Sequence, residues 1–588
     1  MLNFKEFRMR SVVNRWHTLV FALFALAVLV AAPAKLRAQG GEPRDFAIRG
    51  VKVIPVSGPP IENATILISR GVIIGVGKDL QISDEAWIID GKGLTVYPGL
   101  FDAFTDVGIP AAEASSPAAG GGGGRRAQTG ERSNGPEDRP GSTAWRNAAD
   151  EVSLSDKRIE TWRSAGFTTV VSAPKGGLVP GQGAVLDLAG DRAGDLVVKS
   201  PVAIPLNLQP QGGFGSGFPD SLMGVLGYIH QLWIDTDWST KAEALYDKNP
   251  RGVERPRYDR NSAALAEALE DHALVLIPAN NSVQLRRSLW LVDRWNVPAV
   301  IYGGQMAYEV APEIAAKKLP VLVNLKWPEA EKDADPDAKP TLETLRFRDR
   351  APSSPSALAK SGVKFAFYSG GISAPKDILK AAKKSIDAGL APDAALRAMT
   401  LSPAEIFGVS DRLGSIEKGK IANLVVTDGD LFEEKTKIKF VFVDGRKFEP
   451  REPDRPKDPP KGDITGKWKL AYTTPQGSEG STADLTMSAD GTISGTVASP
   501  RGTATIISGY LSAEKFSFTI NIPIEGTPAD VTFSGTFENA ALKGTLSVSG
   551  LGFSTDFTGS KPSASEAIRQ NAQDAKQSSA IESLGDAR

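Results

Sequence analysis

Between residues 98 and 409, apolar runs of strand length alternate with segments of helical length, and this alternation limits the fold more than any other feature. ALVLIPANNSVQLRRSLWLVDRWNVPAVIYGGQ (273–305) reads as strand, helix, strand; a further helix and LPVLVNL follow. GVKFAFYSGG (362–371) supplies the last convincing strand of the stretch, and a helix follows it. Strand–helix alternation of this kind implies a parallel sheet. The stretch is entered at PGLFDAFTDVG (98–108).

What flanks it is β-rich. Residues 46–97 carry short alternating strands and turns, among them IRGVKVIPV and ENATILISRGVIIGVG. After the helix-like ALRAMTLSPAEIFGV (395–409), residues 412–432 and 438–448 return to strand. A Pro- and charge-rich linker occupies 449–463. From 464 to 560, alternating strands joined by tight turns predict about eight antiparallel strands, as a small closed barrel or a two-sheet sandwich. Residues 561–588 read as a polar tail, and the Gly-, Pro- and Ser-rich stretch 111–141 as a loop insertion.

Three motifs stand in order: IENATILI, PGLFDA and TLSPAEIFGVSDRLGSIEKGKIANLVV. Together they resemble the amidohydrolase superfamily over about 46–448. PGQG at 180–183 is similar to a loop of its exported, imidazolonepropionase-like group. The resemblance implies a (β/α)8 TIM barrel at 98–411. It also implies a composite β-sandwich built from 45–97 and 412–448. Its chemistry would be metal-dependent hydrolysis of non-peptide C–N bonds, in cyclic amides or related substrates.

The residues for that chemistry are missing. The family's first strand ends in Asp-x-His-x-His; here Asp102 stands, but the His positions are Phe104 and Asp106. The aspartate that serves as general base on the last strand aligns with Gly370, and the middle His with Pro278 and Gly303. Histidine count agrees without any alignment: the chain has three, His17, His230 and His272. Phe cannot ligate, and an oxygen at Asp106 favours harder ions than zinc. Asp102, Asp106 and Asp235 are weak candidates for a carboxylate-held cation, though the family gives Asp102 a structural duty. His230, in an apolar helical context, reads as a packed or surface residue, and His272 as a helix-end residue.

The expected function is therefore a non-catalytic relative, a pseudoenzyme that binds a small molecule in the barrel cavity or pairs with an intact amidohydrolase paralogue or with itself. The alternative is a hydrolase with a rebuilt site; only that alternative needs a divalent metal such as zinc, and no other cofactor is expected. The absence of Cys excludes disulfides, thiolate metal sites and a thiol nucleophile. A formal net charge of −1 gives no field that favours nucleic acid. The basic n-region with Arg8, Arg10 and Arg15, the apolar run 19–32 and the small residues after it form an export signal at 1–38. That places the protein in the periplasm or outside the cell, with no membrane attachment once the signal is cut. A retained anchor is the rival.

Overall fold

The computed structural model describes residues 45–110, 139, 141–210, 219–330, 339–372, 374–450, 458–474, 477–488, 490–499, 502–524, 527–538, 540–548 and 553–561. The segments read from sequence as export signal, most of the loop insertion, part of the linker and most of the polar tail lie outside these residues. The chain divides into two compact units, 1–450 and 451–588.

In the first unit, strands β1 (Asp45–Val53), β2 (Ile61–Ser69), β3 (Val72–Gly77), β4 (Trp87–Asp90) and β5 (Thr95–Pro98) come from before the α/β stretch. The α/β stretch supplies β6 (Leu100–Thr105), β7 (Phe167–Ser172), β8 (Gly183–Asp187), β9 (Val197–Pro205), β10 (Leu274–Ala279), β11 (Ala299–Gly303), β12 (Val321–Asn324) and β13 (Phe365–Tyr368). Strands β14 (Leu424–Thr427), β15 (Ile438–Val443) and β16 (Arg446–Phe448) follow it.

The two flanks join into one eight-stranded sheet, ordered β16-β15-β14-β5-β1-β2-β3 with β4 beside β1. Its junction is the antiparallel pair of β5 and β14, Leu424 opposite Pro98. Alternate residues of both flanks, Ile48, Ile66, Val96, Leu424 and Phe442 among them, form one core. The composite domain is thus a single hydrogen-bonded sheet.

Strands β6 to β13 are neighbours in chain order in a nearly closed eight-stranded barrel sheet. The pairs are parallel, except that β8 runs antiparallel to both β7 and β9. The sheet is therefore not all-parallel. A loop rather than a crossover helix links β7 to β8, so the chain turns straight back on itself. Along each strand, residues of one parity face the helices and the others fill the interior. Leu276, Val300, Leu322 and Ala366 belong to the inner cluster, together with Phe101 and Val171. At the entry, Gly99 lies so close to the Thr168 side chain that a Cβ would overlap it, which explains the Pro-Gly step.

In the second unit, β17 (Gly466–Thr474), β18 (Gly477–Met487), β19 (Ile493–Ser499), β20 (Gly502–Ser512), β21 (Lys515–Ile524), β22 (Thr527–Glu538), β23 (Ala541–Val548) and β24 (Phe553–Ser560) form a closed antiparallel barrel. The pairing of β17 with β24 completes it, which decides for the barrel over the sandwich. Trp468, Phe516, Phe518, Phe533 and Phe557 fill its interior. Phe518 and Phe533 stack at 4.9 Å, and Phe557 meets Phe533 edge-on at 5.2 Å. Residues ahead of β17 also bond to this barrel: Lys461 N donates to Ala513 O, and Ser512 Oγ to Asp458 O. Residues 458–463, read from sequence as linker, thus pack on this barrel.

Candidate functional site

The C-terminal ends of the parallel strands, β6, β7 and β9 to β13, form the face where a barrel of this kind places its chemistry. Pro278 on β10, Tyr302 on β11, Asn324 on β12 and Tyr368 on β13 each lie two residues beyond the inner apolar layer, so they share its direction. Phe104 of β6 completes the set. Its ring lies 5.1 Å from Tyr302 and 5.9 Å from Tyr368, and the two tyrosines meet edge-on at 6.3 Å. Three aromatic rings from three strands thus occupy the mouth.

The tyrosines are held by hydrogen bonds. Tyr302 Oη donates to Leu206 O at 2.8 Å. Burial drives the Tyr302 phenol well above its ordinary value; burial does the same to Tyr368, against the opposing hydrogen bond with Asn324. Neither becomes a phenolate near neutral pH. Ile301 and Gly303 have the other parity on β11 and face the helix layer. The barrel-facing position of β11 is therefore Tyr302, one residue before the Gly303 suggested by the sequence.

Gly370 follows β13 with φ +59°, and a Cβ there would overlap Asn324 Oδ1 and Cγ. Asn324 fills the space into which a side chain at 370 would grow. Its own Oδ1 accepts from Lys326 N at 2.8 Å. Next to it Gln305 Nε2 donates to Asn324 O and Lys326 O, at 3.2 and 2.6 Å, fixing the end of β12.

Asp106 faces two cations. Lys175 Nζ lies 2.9 Å from Oδ2 and Arg158 Nη1 3.2 Å from Oδ1. Burial raises the Asp106 carboxyl, but the Lys175 hydrogen bond and the Arg158 charge outweigh it and leave the group below the usual range. Arg158 also donates to the carbonyls of Asp106 and Ile109, at 2.9 and 3.2 Å, and pairs with Asp156. The carboxylate belongs to an ion-paired network that shapes the loop after β6.

Asp102 is fully buried and has a different task. Its Oδ1 accepts from Ser369 N at 3.0 Å and Phe104 N at 3.4 Å, and its Oδ2 from Trp162 Nε1 at 3.3 Å. Burial pushes this carboxyl up to about 6 in spite of those donors. The bond to Ser369 spans the gap between β6 and β13, which no ladder closes among the described residues.

The other candidates lie apart. Asp235 accepts from Arg139 Nη1 at 2.5 Å and from Gln231 at 2.7 Å on the outside of the barrel. His272 ends the helix Arg260–Glu270 in the left-handed region, φ +62°. His230 lies within the helix Leu222–Lys248, and its Nδ1 is buried without a hydrogen-bond partner. Gln182 of the PGQG loop is buried and donates to Ala144 O and Ala264 O, both at 3.1 Å. The loop ties the segment after the insertion to the barrel.

A tetrahedral zinc ion needs neutral imidazole or carboxylate donors converging on one point. Among the described residues, no three His, Cys, Asp or Glu side chains do so. Phe104, Pro278 and Gly370 offer no donor, and Asp106 is committed to its cations. The residues present at this mouth do not fit the family's metal. Sequence reasoning missed Tyr302, Tyr368 and Asn324. The signal was there in strand parity, since each stands two residues beyond an interior aliphatic.

The profile of the amidohydrolase family matches residues 264–448. No curated protein matches the chain. An amidohydrolase from Thermotoga maritima is similar in structure, with a TM-score of 0.57 and 24% identity over 69% of this chain and 100% of its own; the likeness is one of fold. A zinc-bound adenosine deaminase from Xanthomonas campestris matches with a TM-score of 0.40 and 16% identity, over 71% of this chain and 95% of its own. Molinate hydrolase gives 0.42 and 17%, over 71% and 97%.

Proposed function

We propose that this chain is an exported protein of amidohydrolase fold that does not hydrolyse, and that serves as a binding or partner subunit, paired with an intact amidohydrolase relative of the same compartment. The observation that supports this most is the contact of Phe104 with Tyr302 and Tyr368. Metal-assisted hydrolysis needs an ion that polarises the scissile carbonyl and lowers the pKa of its water. Phe104 fills one of the positions from which such an ion would be held, Tyr302 packs against it, and Pro278 and Gly370 offer no ligand at two others. Fold confers no activity without its site. The barrel and composite sheet supply a rigid body, and surface rather than cavity is what remains to act.

The test is metal analysis of the purified exported protein, together with mass spectrometry of whatever co-purifies from the native envelope. Substoichiometric metal and a recovered amidohydrolase relative are expected. About one equivalent of tightly held Zn, Mn or Fe, with turnover of a cyclic amide, would instead establish the hydrolase with a rebuilt site. Phe104→His with Asp106→His should give no hydrolysis, because sites that act as a unit lose nearly all activity when one member is absent.

A further inference from the structure

The end of the barrel opposite the mouth is joined to the composite sheet through one side-chain amide. Asn423 stands just before β14. Its Nδ2 donates to Thr169 Oγ1 on β7 at 3.1 Å and to Asp187 Oδ1, at the end of β8, at 2.9 Å. Its Oδ1 accepts from Asp444 N, in the turn between β15 and β16, at 2.8 Å. Its backbone O accepts from Gly99 N, just ahead of β6, at 2.8 Å. Barrel, sheet and entry step thus meet at one residue.

Asp187 is the buried ionisable member of this joint, 4% exposed. The donors to its Oδ1, the Thr169 hydroxyl at 2.8 Å and the Asn423 amide, are both neutral. The charged groups that face it are Asp444 from the β15–β16 turn and Arg412 from the segment ahead of β14. Arg412 spends Nη1 on Val198 O at 3.0 Å. Asp444 in turn faces Arg446 of β16, Arg412 and Asp195. Burial pushes the Asp187 carboxyl up to about 7 against its two hydrogen bonds; the Asp444 charge adds to the rise and Arg412 opposes it.

A charge buried among neutral donors is relieved by reaching water. The two sides of the joint differ in how readily they yield. Thr169 and Asp187 belong to strands with a hydrogen-bonded neighbour on each side. Asp444 is exposed, and the hairpin that it turns ends in β16, the edge strand of its sheet. Gly445 N donates to Ala422 O at 3.2 Å, so that turn and residues 421–423 move as one. The sheet side is therefore the one that gives way. The joint favours a neutral carboxyl: its hold is complete below about pH 4 and is lost as the pH rises through about 7.

We propose that Asp187 is a proton-operated latch on this joint: protonated, it holds residues 421–423 and the β15–β16 turn against the barrel, and ionised, it lets them part. This holds whether or not the barrel is catalytic. Hydrogen exchange of the full chain reads the opening, once rates are corrected for the intrinsic effect of pH. Amides of 421–426 and 441–446 should be at least tenfold better protected at pH 5 than at pH 8. At pH 8 they should exchange well ahead of those of β10 to β12, which marks the opening as local. Asp187→Asn keeps an oxygen acceptor and has no proton to lose, so its joint should be as protected at pH 8 as at pH 5. Asp444→Asn removes the charge that opposes ionisation and should move the loss of protection to lower pH, a check that stands even where Asp187→Asn fails to fold. Equal protection of the parent joint at both pH values would overturn the proposal. So would exchange no sooner than that of β10 to β12, a pH dependence that persists in Asp187→Asn, or one that Asp444→Asn leaves in place.

Discussion

Two eight-stranded barrels stand in one chain, and they close in different ways. In the C-terminal barrel the last strand returns to the first through a backbone ladder, with Leu470 opposite Gly559 and Tyr472 opposite Phe557. The α/β barrel leaves β6 and β13 without a ladder and bridges them with the Asp102 carboxylate. Ladder closure divides the work among many peptide groups, each contributing about 1 kcal/mol. Carboxylate closure concentrates it in one side chain and makes it depend on a proton. Among the described residues of the C-terminal barrel the buried polar side chains are Ser481 and Ser512, with no carboxylate.

The largest expected effect strikes the seam. Asp102→Ala strands Ser369 N, Phe104 N and Trp162 Nε1 in a buried site, and should cost the first unit about 3–5 kcal/mol in denaturant titration. Asp102→Asn keeps one acceptor and should cost less. If the alanine variant melts like the parent, the carboxylate does not close the barrel.

Next comes Gly370→Asp, which adds a Cβ at positive φ into the space held by Asn324. A loss of about 2–4 kcal/mol is expected, relieved in part by Asn324→Ala. An unperturbed Gly370→Asp protein would show that the mouth has room for the missing base.

The third effect is a pH dependence confined to the first unit. Burial raises Asp102 to about 6 and Asp187 to about 7, from 3.8. For Asp187 the hydrogen bonds from Thr169 and Asn423 oppose that rise, and Asp444 adds to it. The fold prefers both groups neutral. Their contribution is complete below about pH 4 and lost as the pH rises through 6 and then 7. Unfolding of the first unit should therefore become progressively easier as the pH rises from 5 to 8. A curve that instead rises over this window would reverse the sign of the argument.

The smallest effect tests the other side. Phe533→Leu, placed in an isolated fragment from Asp458 to Lys561, should cost about 1 kcal/mol and leave a cooperative melt. A fragment that does not fold would deny the C-terminal barrel its independence.

Alternation was enough to read an α/β sheet. Its closure into a barrel, and the composite domain, expected as a β-sandwich and found as one sheet, came from the resemblance carried by the ordered motifs. IENATILI and KIANLVV carry strand patterning that survives without any neighbour. Phe104, Asp106 and Gly370 were legible because a side chain's chemistry can be judged from its identity. What escaped were relations between distant residues. Nothing local in GAVLD says that β8 will run backwards. Asn324 and Gly370 lie far apart in sequence, so their competition for one volume exists only in the folded barrel. The duty of Asp102 was expected to be structural, but its partner, Ser369 N, was invisible until β13 came round beside β6.

The seam has one more consequence. Two strands held by a ladder can slide by a pair of residues and regain most of their bonds, because every rung resembles the next. A lone carboxylate offers no second rung. Displacing β13 along β6 would carry Ser369 N away from Asp102 Oδ1, while Trp162 holds the other oxygen in place. Asp102 acts as a registry pin, setting the stagger of the whole cylinder from a single point.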